Sequence, residues 1–346
     1  MLVSTGPNSG YSQRAYMHRN GRAYVQRTYV IGGRTSVYVY NRFAYHGAFY
    51  YGYVPGYYFR PAFYGWAYNP WLNPVYYRWD WLGSAWYAPY GYYFAPAPYY
   101  PVASLWLTDY VLAESLRAAY DASAAQEPGP PPDQSAAQST VLTPEVKQAI
   151  ADEVKRQIDA ERAAAGSPPG QPAAAPAAAP APAAPAATPV TTQVAEQRPE
   201  ALDPAVSVFV VSASLDVSAG DQSCSLSPGD VIMRINDTPD ARQNVAVKVA
   251  SSKRSDCPTG QQVAVTVADL QEMHNQFRAK IDSGLKTLAD NQGKDGLPPA
   301  PDTQTSPGEV PPPQPDMVRA DLQKLQTVAD QTEADVKKQA ATTGTT

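Results

Sequence analysis

The stretch that decides the fold reads Leu226-Ser227-Pro228-Gly229-Asp230-Val231-Ile232-Met233-Arg234-Ile235-Asn236. Proline presets φ at the first turn position and glycine tolerates a positive φ at the next, so Pro228-Gly229 predicts a tight turn. Residues 231–235 then alternate as a half-buried strand does. β-Branched runs at 206–211 and 263–267 predict two more strands. Between them, residues 244–252 fit either a strand or a short helix, because periodicity alone does not decide.

The same residues carry a family resemblance. Leu226-x-Pro228-Gly229-Asp230-Val231-Ile232-x-x-Ile235-Asn236, flanked by the strand 207–212 and by Gly260-x-x-Val263-x-Val265, resembles a PDZ domain over about residues 204–268. The resemblance implies that residues 244–252 form the groove helix, with Val245, Val249 and Ser252 lining a groove for a protein or peptide segment. The family's glycine-containing carboxylate loop has no counterpart in residues 195–205. We therefore expect an internal segment, or the chain's own helix at 269–288, to occupy that surface rather than a free C-terminus.

Both cysteines fall inside this segment. A disulfide between Cys224 and Cys257 would tie together two polar loops; the alternative is a pair of free thiols in a reducing compartment. The disulfide is favoured because the rest of the chain has no cysteine, and it implies an oxidising compartment. That predicts an exported protein, periplasmic or at the cell surface. Residues 1–6 lack the basic and apolar parts of a signal peptide, so export assumes a signal that this chain does not carry. No segment is long and apolar enough to predict a transmembrane helix.

The two halves of the chain differ in charge and aromatic content. Residues 1–108 hold eight arginines, no lysine and one acid, Asp80, for a charge near +7, whereas the remainder is near −12. All 24 tyrosines and all six tryptophans lie at or before Tyr120. This asymmetry predicts a basic, aromatic N-terminal module and an acidic C-terminal part of different character.

Within the N-terminal part, residues 1–21 are polar and predicted to be disordered, and residues 22–125 are predicted to form a Tyr/Trp-rich module. Alternating runs around Gly32-Gly33 predict a β-hairpin. From 43 to 101, aromatic residues alternate with prolines that exclude a regular interior sheet. Three interpretations stay open: an irregular aromatic core, a surface that stacks on sugar rings or peptidoglycan, and a nucleic-acid surface of interleaved arginines and tyrosines. The candidate surface residues are Tyr57, Tyr58, Trp66, Trp71, Trp79, Trp81 and Trp86. Loosely, this region resembles Tyr/Trp-rich bacterial envelope proteins.

Helices and linkers complete an α+β, multi-segment organisation. The stripe at 104–120 predicts a helix that closes the aromatic module. A second helix, 143–165, carries a narrow apolar stripe that suits a partner helix, and hence self-association, or else a solvated helix. Residues 166–203, including the purely Ala/Pro tract 172–187, predict an extended linker that separates two independent halves. The remaining segments are a helical extension that ends the PDZ-like domain 204–290, a Pro-rich linker at 291–316, a helix at 317–340 and a tail at 341–346.

The sequence offers little for catalysis. His18, His46 and His274 lie in unlike segments without metal-ligand spacing, and no phosphate loop or dinucleotide fingerprint is present. We therefore expect no enzymatic activity and no cofactor. The predicted function is an envelope-associated scaffold or adhesion protein with an interaction module and an aromatic binding module. The alternative is a binder of nucleic acid or another anionic polymer through the basic half, whose affinity would fall steeply with salt.

Overall fold

The computed structural model describes residues 2–6, 9–31, 34–124, 141–166, 196–220, 222–253 and 257–313, and the single positions 320, 323, 327 and 331. These residues contain four α-helices and fifteen β-strands, arranged mainly in two antiparallel sheets. The α+β class is therefore as predicted. None of the described helices combines the length and the apolar character that a membrane crossing requires.

The first sheet is a five-stranded antiparallel meander in chain order. Its strands are β1 (Leu2–Gly6), β2 (Ser9–Arg19), β3 (Arg22–Ile31), β4 (Arg34–Tyr45) and β5 (Ala48–Val54). The hairpin predicted around Gly32-Gly33 is confirmed, since β3 and β4 pair from Ala23–Arg42 to Ile31–Arg34. The predicted disorder of residues 1–21 is wrong for β2. Its Tyr11 lies opposite Tyr29 of β3 with ring centroids 5.1 Å apart, so aromatic cross-strand contacts order a segment of polar composition.

The aromatic stretch that follows is mostly irregular. Its short elements are β6 (Tyr57–Phe59), α1 (Pro61–Tyr68), β7 (Val75–Tyr76) and β8 (Tyr99–Tyr100), with single 3₁₀ turns at Asp80–Gly83 and Ala88–Tyr90. Pro61 stands at the first position of α1, where its missing N–H costs nothing. The density of proline thus allows only short strands and helical turns, and the rings fill the space between them.

Three long helices pack beside this stretch: α2 (Ala103–Ala124), α3 (Pro144–Ala165) and α4 (Val267–Asn291). The helices predicted at 104–120, 143–165 and 269–288 are therefore present. Thr143 caps α3 by accepting a hydrogen bond from the Val146 N–H. The narrow stripe of α3 is covered by α1 and α2 of the same chain, with Ile150, Val154 and Ile158 fully buried. Of the two predicted alternatives, a partner helix and a solvated helix, the structure shows the first, and the partner helices belong to the same chain.

The second sheet has six antiparallel strands in the order β11-β10-β14-β13-β12-β9. They are β9 (Val208–Val210), β10 (Leu215–Ala219), β11 (Gln222–Leu226), β12 (Val231–Arg234), β13 (Asn244–Ser251) and β14 (Gln262–Thr266). The segment expected to be a groove helix is β13. Val245 and Val249 are buried in the core, as is Ser252 just after the strand, so they line no open groove. Alternating Val245, Val247 and Val249 have the two-residue period of a strand, and pairing with β12 and β14 decides in its favour.

The two halves share one hydrophobic core, contrary to the predicted split at the Ala/Pro tract. Trp106 and Phe63 of the N-terminal half and Val231 and Ile281 of the C-terminal half belong to the same buried cluster. α4 also closes the first sheet, because the amide of Asn275 accepts from the backbone N–H of Tyr53 and donates to the carbonyl of Tyr51. The two halves of the chain are therefore held together by tertiary packing and not only by the linker that joins them.

The described residues of the segments predicted as linkers also pack against the rest of the protein. Ala201 and Leu202 are buried, and within 291–316 the strand β15 (Thr305–Pro307) pairs with β6. Glu309 then accepts a hydrogen bond from the Tyr24 hydroxyl at 2.7 Å. Prolines remove backbone donors but still permit such docking on an edge strand. Residues 167–195, the tail at 341–346 and nearly all of the predicted helix 317–340 lie outside the described residues.

Cys224 and Cys257 form the predicted disulfide, with Cα atoms 5.2 Å apart and positions 33 apart in sequence. It links β11 to the segment that precedes β14, and Cys257 is fully buried. The bond therefore lies at the edge of the second sheet that is formed by the β10–β11 hairpin.

Cys257→Ser is expected to lower the free energy of unfolding by about 3–4 kcal/mol, because the unfolded chain regains the entropy of the closed loop. Denaturant titration of the oxidised protein measures this loss. The double variant Cys224→Ser/Cys257→Ser serves as the control and should match the single one. Free thiols in the native protein, with unchanged stability in the variant, would contradict the bond.

Candidate functional site

The predicted turn at Pro228, Gly229 and Asp230 is a buried joint between the two halves, not an open site. Gly229 has φ +92°, and its carbonyl accepts from the Tyr93 hydroxyl at 3.0 Å. A Cβ on Gly229 would lie 2.7 Å from Leu116 Cδ2 of α2. The close approach and the positive φ together require glycine here. The second sheet is thereby held against the aromatic half.

Asp230 organises this joint electrostatically. Its carboxylate is fully buried and accepts hydrogen bonds from the backbone N–H groups of Ser227 (2.8 Å) and Lys253 (2.9 Å). Lys253 Nζ lies 3.0 Å from Asp230 Oδ1 and also donates to the carbonyl of Pro228. Such a buried ion pair fixes the turn, since either charge left alone would be strongly unfavourable.

Of the seven aromatic residues that were proposed as a binding surface, two are buried in the core and five are partly covered. Trp71 and Trp79 are buried, and Trp79 stacks on Trp106 with ring centroids 4.8 Å apart while its indole N–H donates to the Tyr100 hydroxyl. The other candidates are partly covered: Tyr57, Tyr58, Trp66, Trp81 and Trp86. All of these except Tyr58 pack against the same core. Ring–ring packing in a proline-rich segment accounts for their burial.

The rings that do face solvent were missed by the sequence analysis. Tyr76 and Tyr99 are 57% and 59% exposed, and their ring centroids are 5.4 Å apart. Leu72 is fully exposed. The two tyrosines are partners in the short β7–β8 ribbon, a pairing between residues 23 positions apart that composition does not reveal. This Tyr76–Tyr99 face is the most exposed aromatic pair among the described residues.

Arg27, one of the arginines of the basic half, is buried. The guanidinium of Arg27 lies 4.3–4.6 Å from the ring centroids of Tyr11, Tyr40 and Tyr51, and it pairs with Glu272 of α4 at 2.6 Å. Glu272 raises the pKa of Arg27, against the opposing effect of burial. Cation–π contacts and the ion pair hold the first sheet on α4. The positive charge of the N-terminal half is therefore partly neutralised by acids of the other half.

A pair of carboxyl groups lies between α3 and α4. Glu161, only 1% exposed, lies beside Asp282, and neither of its carboxylate oxygens accepts a hydrogen bond from a donor of the described residues. Asp282 accepts from the Tyr53 hydroxyl at 2.6 Å. Two adjacent buried carboxyl groups can be joined by a hydrogen bond only if one of them is protonated. Burial first, and the charge of Asp282 second, raise the pKa of Glu161 well above its ordinary 4.5. Burial raises the pKa of Asp282 as well, and Arg278, which faces the pair, opposes the increase for both acids.

Glu161→Gln is expected to flatten the pH dependence of stability. Because the folded protein holds the proton that the unfolded chain releases, this stability is present below about pH 4.5 and is lost as pH rises through the folded pKa of Glu161. The loss amounts to about 1.4 kcal/mol per pH unit for one proton. Urea unfolding between pH 4 and 8 measures it, with the exposed Asp159→Asn on α3 as control. Parallel profiles for wild type and Glu161→Gln would refute the raised pKa of Glu161.

The histidines do not converge. His274 is buried and lies 3.2 Å from Glu200, while His18 and His46 are in separate hairpins of the first sheet. Across the described ranges, no group of three or more His, Cys, Asp or Glu side chains is close enough to hold a metal ion.

A groove of about 570 Å³ opens between β10 and β14. The two strands pair at one position, Ser218–Ala264, whereas each pairs over five positions with its other neighbour. The two strands share no other paired position, and the loop before β13 and the first turn of α4 complete the walls. The lining residues are Leu215, Asp216, Val217, Ser218, Gly220, Asp240, Ala241, Arg242, Asn244, Ala264, Val265, Thr266 and Asp269. We call this the β10–β14 groove.

Comparisons with protein-family models, with curated proteins and with solved structures found no match to this chain.

Proposed function

We propose that this protein is a non-enzymatic scaffold of the cell envelope that binds an extended segment of a partner protein in the β10–β14 groove. The observation that carries the proposal is that β10 and β14 pair with each other at a single position, although β10 pairs with β11 and β14 pairs with β13 over five positions each. A separated pair of strands leaves backbone donors and acceptors along the gap, and an extended chain satisfies such groups by strand addition.

The proposal keeps the interaction role that the PDZ resemblance implies and moves its position. In that family the peptide adds to a sheet edge beside a helix, whereas residues 244–251 are here a central strand. The disulfide supports an envelope location, because such bonds persist in oxidising compartments. The Gly229 joint supports a scaffolding role, since it fixes the groove relative to the aromatic half.

The groove is tested with the full oxidised chain and an array of synthetic eight-residue peptides of extended-chain sequence. Ala264→Tyr places a ring in the groove and should abolish peptide binding. The control Lys248→Tyr puts the same ring on the exposed face of β13 and should leave binding unchanged. Hydrogen exchange should show slower amides in β10 and β14 on binding. Peptide binding that survives Ala264→Tyr would refute the site.

A second candidate function, adhesion to glycans, is favoured by the Tyr76–Tyr99 face. Sugar rings stack on exposed aromatic faces, and the two tyrosines with Leu72 offer the exposed rings that the buried tryptophans do not. Soluble peptidoglycan fragments should bind with little salt dependence, and Tyr76→Ala/Tyr99→Ala should weaken binding more than Phe49→Ala at an exposed ring on the first sheet. The alternative of nucleic-acid binding predicts instead a steep loss of affinity with salt. Against it, Arg22 and Arg27 are paired with Glu309 and Glu272.

A further inference from the structure

The charges of the β10–β14 groove have one dominant sign. Three carboxylates line it, Asp216, Asp240 and Asp269, against one guanidinium, that of Arg242. No other charged side chain is among its lining residues. The groove therefore carries a net negative charge at neutral pH, and a partially enclosed cleft with one sign of charge concentrates the opposite sign.

Hydrogen bonds hold the three acids in place, and the acids differ in how far their carboxylate oxygens remain free to bind a ligand. Asp240 accepts hydrogen bonds from the backbone N–H groups of Arg242 (2.9 Å) and Asn244 (2.8 Å), which lower the pKa of its carboxyl group and keep it ionised. Asp216 accepts from the hydroxyl of Ser225. Asp269 is used to cap α4, because it accepts from the Thr266 hydroxyl at 2.6 Å. Asp216 and Asp240 are exposed and leave carboxylate lone pairs for a ligand.

The remaining lining residues leave room for the backbone of an extended segment. Ser218 and Ala264 are small and exposed at the narrow end of the groove, whereas Val217 and Val265 are buried in the core of the second sheet. Small residues leave room for a second backbone to approach. In an extended peptide, alternate side chains point to opposite faces, so one set can reach the carboxylates while the backbone lies along Ser218 and Ala264.

We propose that the occupant of the β10–β14 groove is an extended, lysine- or arginine-containing segment of a partner protein, seated between β10 and β14 with its cationic side chains at Asp216 and Asp240. This identification rests on the proposed function and adds to it the charge and the conformation of the partner. Exposed ion pairs contribute modestly to affinity, so charge acts here mainly on the choice of partner and on the rate of encounter.

The test uses the full oxidised chain and fluorescein-labelled nine-residue peptides in which valine alternates with lysine, serine or glutamate. The lysine peptide is expected to bind at least tenfold more tightly than the glutamate peptide at low salt, and the ratio should shrink toward unity near 1 M salt. A lysine peptide with a central proline, which cannot continue a strand, should lose most of its affinity. Binding is measured by fluorescence anisotropy.

Isosteric variants locate the charge effect. Asp216→Asn/Asp240→Asn keeps one acceptor oxygen in each side chain and should reduce the preference for lysine over glutamate by about tenfold, whereas Asp159→Asn, on the exposed side of α3, should not change it. Thermal melts confirm that each variant is folded.

The outcomes separate the two proposals. Equal binding of the lysine, serine and glutamate peptides, all abolished by Ala264→Tyr, would overturn the basic partner while supporting the groove. Equal affinity of the proline-containing peptide would overturn the extended conformation. Lysine-peptide binding that Ala264→Tyr does not change, or no binding by any peptide, would overturn both. The tenfold preference, its loss in the double variant and its sensitivity to Ala264→Tyr together support the inference.

Discussion

Asp230→Asn is expected to lower the free energy of unfolding by about 3–5 kcal/mol, because it removes the carboxylate that balances the buried Lys253 ammonium. The asparagine keeps the size of the side chain and one acceptor oxygen, so packing at the turn is preserved. What is lost is the negative charge beside an ammonium that is shielded from water, together with the acceptor for one of the two backbone N–H groups, of Ser227 or Lys253. Denaturant unfolding followed by tryptophan fluorescence measures the loss.

The double variant Asp230→Asn/Lys253→Met provides the matched control. It removes both charges and leaves an apolar side chain of similar length, so it should recover much of the stability lost in the single variant. If the double variant were no more stable than Asp230→Asn, the cost would come from the hydrogen bonds of the turn and not from an uncompensated charge.

Gly229→Ala is expected to cost about 2–5 kcal/mol, as two separate effects act on the same methyl group. A side chain at positive φ costs about 1–2 kcal/mol, and overlap with Leu116 Cδ2 adds about 1–3 kcal/mol. Gly260→Ala is the matched control, because Gly260 has the same φ of +92° with nothing within 4 Å of the added methyl. The difference between the two variants measures the contact between the second sheet and α2.

Combination with Leu116→Ala completes the test. Shortening Leu116 creates a cavity and is destabilising alone, but it also removes the atom that the Gly229→Ala methyl would strike. The two changes together should therefore cost less than the sum of the single changes. Strict additivity, or equal effects of Gly229→Ala and Gly260→Ala, would show that the joint is looser than the contact implies.

Local patterns in the sequence predict much of the secondary structure. The hairpin at Gly32-Gly33, the strand after Pro228-Gly229 and the cap at Thr143 each depend on a few neighbouring residues, and all three are present. The sequence left residues 244–252 open between strand and helix because Val245 and Val249, four positions apart, also fit one face of a short helix. Only the pairing of β13 with its two neighbouring strands decides between them. Propensity cannot supply that tertiary information.

The candidate site was less accessible to sequence reasoning. The disulfide could be predicted because two cysteines in one segment leave one pairing. The β10–β14 groove could not, since it depends on where two paired strands separate, and the burial of Trp71 and Trp79 depends on packing between distant residues. Glu161 carries no local sign that it is buried beside Asp282, which follows 121 positions later. Such features arise from the assembled core and leave no periodic trace in the chain.

The pairing of β15 with β6 and the contact of Glu309 with the first sheet have a consequence for the order of synthesis. Tyr24 receives its hydrogen-bond partner 285 residues later, and the open edge of β5 is closed by Asn275 of α4. A ribosome releases these segments last. The aromatic half therefore remains incompletely folded until most of the chain has been synthesised. Folding that depends on such distant contacts is slow, and exposed aromatic strands aggregate readily in the interval. Truncation upstream of α4 should accordingly yield an insoluble N-terminal fragment rather than a smaller folded protein.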